Sequence, residues 1–161
     1  MKTIAAACAT CLLIVLGACA TPALQPGVAD EAQVRTALGS PALVLPDPGG
    51  GKHLAYPSGP AGTTTAMARL GPDGKLVALE QVLDEDHFAK IRRGETTEAE
   101  LLRLIGPPWR RIDFPNLGQM AWDYRFRDTW GYLTDLSVMV DRRGVVASTV
   151  TVRIDPGGNR K

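Results

Sequence analysis

The segment RDTWGYLTD, residues 127–135, places two aromatic side chains where a chain usually has polar ones. Trp130 and Tyr132 flank a glycine in a stretch that reads as the tip of a β-hairpin. Aromatic residues and arginines are enriched among the residues that dominate the binding energy of protein interfaces. Trp130, Tyr132 and Arg127 are therefore candidate partner-binding residues. The alternative is that Trp130 folds back over its own sheet.

Other residues capable of chemistry occur in patterns that favour structural roles. The run DEDH, Asp84 to His87, has metal-ligand atoms, but it also suits a helix N-cap with acidic residues at the positive end of the helix dipole. We favour the cap. His53 stands alone in a Gly-rich stretch, where we expect it to be exposed, and Ser137 lacks the strand–turn–helix context of a nucleophile. We therefore expect no enzyme, no metal or other cofactor, and no small-molecule substrate.

The N-terminus has the pattern of an export signal. Met1-Lys2 is followed by an apolar run, and the run ends in LGAC, residues 16–19. This tetrapeptide resembles the lipobox of bacterial lipoproteins. The resemblance implies that residues 1–18 are a signal peptide, that Cys19 is lipidated, and that Ala20 directs the protein to the outer membrane, facing the periplasm. The alternative is a plain signal peptide cut nearby.

The cysteine and charge counts narrow the range of protein classes to which the chain could belong. Cys8 and Cys11 would leave with the signal peptide, and Cys19 would carry lipid, so the mature chain would have no free thiol or disulfide. The chain has 18 Lys and Arg against 17 Asp and Glu, and loss of Lys2 makes the two sets equal. A nucleic-acid-binding domain usually has a basic excess. We expect contact with the membrane through the lipid and no nucleic-acid partner.

One short pattern occurs twice. The stretches 27–41 and 94–108 align without a gap and share Gly, Glu-Ala, Gly and Pro at matching positions. Each begins a helix with a capping box, Asp30 with Gln33 and Thr97 with Glu100. The matching capping boxes predict two related helices, and the second helix is expected to end at Ile105.

The apolar spacing predicts which helix faces are buried. Val34, Ala37 and Leu38 form one face in the first copy, and Leu101, Leu104 and Ile105 form it in the second. Gly106 stands where a left-handed residue ends a helix. The preceding stretch from Asp86 predicts a further helix, so that residues 86–105 form a helical hairpin.

After each helix the hydrophobic period changes to two, which predicts antiparallel strands. In the second copy, Trp122, Tyr124 and Phe126 alternate on one face, whereas Asp123 is expected to point outward to water. Trp109 is expected in the core with Trp122. The first copy gives the segments ALVL, KHLAY, TTTAMARL and KLVALEQVL, with more Gly and Pro between them.

These elements predict an α+β fold of two tandem small units, each a helix or helical hairpin packed on an antiparallel β-meander. We expect a tether at 19–26, a first, looser unit at 27–83, a second unit at 84–155 and a flexible tail at 156–161. A unit of about 60 residues has a small core, which supplies only a few kcal/mol, so two units packed together are physically reasonable.

The second copy resembles the SmpA/OmlA lipoproteins, which include the BamE-like subunits of the outer-membrane β-barrel assembly machine. The resemblance lies in KIRRGETTEAELLRLIGPP, residues 90–108, and in Trp122 and Tyr124 of WDYRF. Those subunits have one such unit, whereas this chain has two, and a tandem arrangement resembles the secreted β-lactamase-inhibitor proteins instead.

The resemblance implies a non-enzymatic lipoprotein that binds protein in the envelope, as an accessory in outer-membrane protein assembly or envelope integrity. The β-barrel assembly machinery is one expected partner. The alternative is a periplasmic binding or inhibitor module for an envelope enzyme or a cell-wall component. The sequence leaves both open.

Overall fold

Two antiparallel sheets contain most of the regular secondary structure in the residues that the computed structural model describes, which are 24–154 of the 161. In each sheet the strands lie side by side in chain order. The strands of the first sheet are β1 (Leu43–Pro46), β2 (Lys52–Pro57), β3 (Thr65–Leu70) and β4 (Leu76–Gln81). Those of the second are β5 (Arg110–Phe114), β6 (Gln119–Arg127), β7 (Leu133–Asp141) and β8 (Val146–Arg153). The helices are α1 (Glu31–Leu38), α2 (Glu85–Phe88) and α3 (Glu98–Ile105).

The predicted fold class is wrong. Within residues 24–154 the structure is mostly β, with two four-stranded sheets and three short helices, and it is not two units of a helix packed on a meander. The prediction gave the helices too much weight. The two longer ones have only eight residues each, and most core side chains come from strands.

The predicted helical hairpin is also wrong. The first of its two helices, α2, is a single turn that ends at Phe88, and nine residues separate it from α3, which begins at Glu98. A turn-rich stretch follows before Thr97, in which the Thr96 hydroxyl accepts a hydrogen bond from the Arg92 amide at 2.8 Å. The apolar residues Phe88 and Ile91, which suggested a longer helix, instead pack beside the core of the second sheet.

Both predicted capping boxes are confirmed. Asp30 accepts from the amide of Gln33 while the Gln33 side chain accepts from the Asp30 amide, each at 2.9 Å. Thr97 and Glu100 make the same reciprocal pair at the start of α3. The two related helices therefore begin in the same way because each has a side chain for an otherwise unpaired backbone donor.

Both helices end at a glycine with positive φ, +83° at Gly39 and +78° at Gly106. Their ψ angles, −157° and −169°, lie outside the left-handed helical region that was predicted for Gly106. They fall in a region that is essentially restricted to glycine. A residue with a Cβ at either position would strain the backbone.

The strands were predicted at the right places, and the alternation identified most of the buried side chains. Trp122, Tyr124 and Phe126 are buried on one face of the second sheet with Leu101 and Ile105 of α3. The first sheet has a smaller core, in which the predicted helix face is only partly correct. Val34 is fully buried there, but Leu38 is exposed.

Helix α3 lies between the two sheets. Its side chains Leu101 and Ile105 pack on the second sheet. Its C-terminal turn contacts the first sheet, where His53 Nδ1 lies 3.2 Å from the Arg103 carbonyl oxygen. A methyl group placed on Gly106 would lie 3.5 Å from Ala55 Cβ. One face of the first sheet is therefore covered by this helix, and the opposite face is covered by α1 through Val34.

None of the helices within residues 24–154 is long and apolar enough to cross a membrane. The predicted lipidation site Cys19, the signal peptide at 1–18 and the tail at 156–161 lie outside the described residues. The division into units at 27–83 and 84–155 stays a prediction.

Candidate protein-binding surface

The turn between β6 and β7 exposes both predicted aromatic residues. Trp130 is 79% exposed and Tyr132 is 51% exposed. The alternative in which Trp130 folds back over its own sheet is therefore excluded. The guanidinium of Arg127 donates to the Gly131 carbonyl oxygen at 3.0 Å, so the structure brings all three predicted residues together at one tip. We call residues 127–132 the aromatic tip.

Asp128 organises the aromatic tip. Its Oδ1 accepts from the amides of Trp130 at 3.0 Å and Tyr132 at 2.9 Å. Its Oδ2 accepts from Nε and Nη2 of Arg153 at 3.0 and 2.6 Å. One carboxylate therefore fixes the backbone on both sides of the exposed indole, and it joins this turn to the end of β8. A turn held in this way loses little conformational freedom when it binds a partner.

The charge state of Asp128 supports this role. Burial opposes ionisation of its carboxyl, but hydrogen bonds from the Tyr132 amide and the Arg153 guanidinium outweigh burial and hold the pKa below the ordinary value of 3.8. The carboxylate is therefore charged at neutral pH, when it can hold both amides and the arginine.

Arg153 and Glu85 complete the surroundings of the aromatic tip. The Arg153 guanidinium lies over the Tyr132 ring, 4.3 Å from its centroid, which is a cation–π arrangement. The Thr129 hydroxyl contacts the Glu85 carboxylate at the start of α2. Sequence reasoning missed both residues, because Arg153 is 21 positions beyond Tyr132 and Glu85 lies in another element. Only the pairing of β7 with β8 brings Arg153 to the turn.

The expectation that Asp123 points to water is wrong. It lies on the predicted outer face, but it is only 3% exposed, because it is enclosed by polar partners. Its Oδ2 accepts from Nε and Nη2 of Arg110 at 2.8 and 2.6 Å, and its Oδ1 accepts from the Ser137 hydroxyl at 2.7 Å. Alternation predicts the face of the sheet correctly, but it cannot show that other side chains close over it.

Trp109 was expected in the core, and this is also wrong. It is partly exposed and lies between two guanidinium groups, 4.6 Å from that of Arg110 and 5.0 Å from that of Arg125. Arg125 in turn forms a two-point ion pair with Asp135, with distances of 2.8 and 2.9 Å. The outer face of the second sheet therefore has a network of alternating charges around one indole.

The remaining candidates have structural roles. Asp84 caps α2 and accepts from the His87 amide at 2.9 Å, as the preferred interpretation predicted. His53, which was expected to be exposed, is mostly buried in β2, and its Nε2 lies 2.8 Å from Asp47 Oδ2. Among the residues that the structure describes, no three His, Cys, Asp or Glu side chains form a group that could hold a metal ion.

A cleft of about 380 Å³ separates the 57–62 loop from Trp109. Prolines, glycines and apolar side chains form most of its lining, and Arg125 is its one charged residue among residues 24–154. General acid–base chemistry usually needs titratable groups placed at the reacting atoms. The lining of this cleft does not provide such a pair, so the cleft is a weaker candidate for function than the exposed aromatic tip.

Comparison with known proteins gives little further information. No protein-family model matches the chain, and no curated protein matches it either. A crystal structure of a DUF4309 family protein (YjgB) from Bacillus subtilis is similar over 83% of this chain and 84% of that one, with 14% sequence identity and a TM-score of 0.31. A likeness this distant carries no argument about fold or function.

Proposed function

We propose that this chain is a non-enzymatic, lipid-anchored protein of the bacterial outer membrane that faces the periplasm and binds another protein through its aromatic tip. The observation that carries the proposal is the exposure of Trp130, at 79%, on a turn that Asp128 holds in place. Large exposed aromatic side chains on ordered backbone are typical of interface hot spots.

The contacts of the aromatic tip favour binding over folding as its role. The Trp130 side chain is not part of any of the three apolar clusters. Its indole is instead exposed to solvent beside the half-exposed Tyr132 ring, and both residue types are enriched among interface hot spots. Arg127 and Arg153 beside it supply hydrogen-bond donors for a polar rim around the indole.

The anchoring part of the proposal depends on the lipobox-like stretch that ends at Cys19. Acylation requires the cysteine thiol, so Cys19→Ser is expected to abolish palmitate labelling and to release the protein from the membrane fraction. Cys11→Ser is the matched control, because Cys11 lies within the predicted signal peptide, and it should leave labelling unchanged. Labelling of the Cys19→Ser protein would contradict the lipoprotein proposal.

The binding part can be tested by capture from intact envelope with the affinity-tagged full chain, followed by identification of the captured proteins. We expect Trp130→Ala to lose a partner that the unsubstituted chain captures. Leu117→Ala is the matched control, since Leu117 is also a large apolar residue, 64% exposed, in the β5–β6 turn. Equal capture by both variants and by the unsubstituted chain would contradict binding through the aromatic tip.

The identity of the captured protein decides between the two roles that the sequence leaves open. Recovery of β-barrel assembly subunits would support an accessory role in outer-membrane protein assembly. Recovery of a single soluble periplasmic enzyme would instead support the inhibitor alternative.

A further inference from the structure

Strand β8 is an edge of the second sheet, and its last five residues, 149–153, are exposed on both faces. The Ile154 amide donates to the Leu133 carbonyl at 2.7 Å, which fixes the phase of the ladder. Counting back in steps of two, Val152 and Val150 bond to β7, while Thr149, Thr151 and Arg153 direct their backbone groups away from it. Within residues 24–154 these outward groups have no backbone partner.

The chain itself already adds an extended segment to this edge. At the start of β8, the Gly94 amide donates to the Val146 carbonyl at 2.8 Å. The Val146 amide donates to the Thr96 carbonyl at 2.9 Å. This added segment stops where α3 begins at Glu98, so it satisfies only the first residue of the strand. The geometry of the edge is thus compatible with strand addition, and most of the edge is left open.

The other sheet edges within the described residues have features that discourage strand addition. Strand β1 has four residues and ends in Pro46. Strand β5 begins with two arginines. Strand β4 has Glu80 near its end, followed by Gln81, whose side-chain oxygen accepts from the Leu83 amide where the chain turns away. Charges, prolines and short strands are the usual protection of an edge. Between Val146 and Val152, β8 has neither a charge nor a proline.

We propose that β8 binds an extended segment of the partner protein by strand addition, directly beside the aromatic tip. The inference rests on the proposed protein-binding function and adds the chemistry of recognition. A ladder of backbone donors and acceptors spaced two residues apart is matched by another extended backbone. Val150 and Val152, 52% and 57% exposed on one face, favour a segment with apolar residues at alternate positions.

The aromatic tip lies at the end of β8 where such a segment would arrive. Arg153, the last residue of the strand, bonds to Asp128 and lies over the Tyr132 ring. A partner segment paired with Thr149 and Thr151 therefore runs along the strand toward Arg153 and the tip. Backbone pairing supplies affinity that tolerates many sequences, whereas Trp130 supplies a contact that selects among them.

The test uses a fluorescein-labelled peptide of eight alternating threonines and valines between terminal lysines, titrated with the full chain in mild detergent. We expect saturable binding, together with slowed hydrogen exchange at the amides of Thr149, Thr151 and Arg153. Thr149→Pro removes one outward amide without removing a ladder bond to β7 and should weaken binding about tenfold or more, because one bond of the added ladder is lost.

The matched control is Leu79→Pro, which removes the corresponding outward amide of β4 and should change binding less than about twofold, since β4 is not the proposed site. Val150→Lys keeps every backbone group. It should also weaken binding of the peptide, since a lysine on an edge strand discourages pairing with another strand. This variant keeps the test decisive if Thr149→Pro fails to fold. Equal effects at β4 and β8, or no slowed exchange in β8, would overturn the proposal.

Two further outcomes separate this inference from the proposed function. If Thr149→Pro still captures from envelope the partner that Trp130→Ala loses, strand addition is wrong and binding through the tip stands. If β8 amides are protected without peptide and the chain is dimeric, a second copy occupies the edge, and the proposed occupant is wrong.

Discussion

Three matching positions of one cross-strand row are apolar in the first sheet and polar or charged in the second, whereas the fourth position is Glu80 in the first sheet and Val150 in the second. Across the first sheet, the pairing places Leu43, Ala55 and Met67 side by side on the face that α3 covers. The corresponding row of the second sheet contains Arg110, Asp123 and Ser137. In that second row the Arg110 side chain is half exposed, and the Asp123 carboxylate accepts from Arg110 and from the Ser137 hydroxyl.

The difference shows how one repeated pattern serves two positions in the molecule. A sheet whose two faces are covered can be apolar on both, whereas a terminal sheet needs a polar outer face, as terminal repeats do in repeat proteins. We infer that the first sheet acts mainly as support. The second sheet has both proposed binding surfaces, which are the aromatic tip and the edge of β8.

The largest expected loss of stability comes from substitution of the glycine that ends α3, and a smaller loss is expected at the glycine that ends α1. Val at either position meets backbone strain, which costs about 1–3 kcal/mol. Gly106→Val also places a Cβ 3.0 Å from Thr65 Cγ2, whereas no atom lies within 4 Å of the same position at Gly39. Overpacking adds about 1–3 kcal/mol. Urea unfolding of the full chain should therefore show a larger loss for Gly106→Val than for Gly39→Val. Equal losses of stability would mean that the end of α3 does not pack tightly against the first sheet.

An intermediate effect is expected at the charged row. Asp123→Ala leaves the Arg110 guanidinium and the Ser137 hydroxyl without their acceptor. A fully buried pair would cost about 3–5 kcal/mol when broken, but Arg110 is half exposed, so we expect about 1–3 kcal/mol by urea unfolding.

A second variant places the apolar residues of the first-sheet row at the matching positions of the second sheet. The triple variant Arg110→Leu, Asp123→Ala, Ser137→Met should recover most of the loss, since apolar replacement of an ion pair is often neutral or stabilising. It should also self-associate in analytical ultracentrifugation, because the new apolar row has no cover. A triple variant that stays monomeric would contradict the account of the outer face as a polar cap.

The smallest effect is local and depends on pH. Because the pKa of Asp128 is lowered from 3.8 in the folded protein, its carboxylate contributes stability that is fully present above 3.8. That contribution is lost as the pH falls through the lower folded pKa. The indole N–H resonance of Trp130 should shift in that acid range, below 3.8, and Asp128→Asn should abolish this pH dependence. A midpoint above 3.8 would contradict the hydrogen-bond arrangement of the tip.

The sequence predicts those parts of the fold that depend on neighbouring residues. The capping boxes at Asp30 and Thr97 lie within four positions of their partners, and the strand alternation around Trp122 lies within nine, so local chemistry is sufficient. The fold class was wrong because well-marked helix ends indicate that a helix exists, but not how much of the core it supplies. A helix of eight residues contributes few side chains to the core: α1 has one buried residue and α3 has two.

Features that depend on pairing between distant residues were not predictable in the same way. The enclosure of Asp123 needs Arg110, thirteen positions earlier, and Ser137, fourteen later. The link from Asp128 to Arg153 needs the register of β7 and β8. The candidate site was found because its signal is compositional: two aromatic residues around Gly131 in a turn. Its supporting residues were missed because their signal is geometric.

The central claim is that Trp130 serves binding and not folding, and one purified variant tests it most directly. In Trp130→Ala, the free energy of unfolding should stay within about 0.5 kcal/mol of that of the unsubstituted chain, as expected for an exposed side chain. Affinity for the captured partner should fall by about 2 kcal/mol or more, the size of an interface hot spot. A variant that loses about 3–5 kcal/mol of stability, as a buried aromatic would, and binds normally when folded would contradict the account.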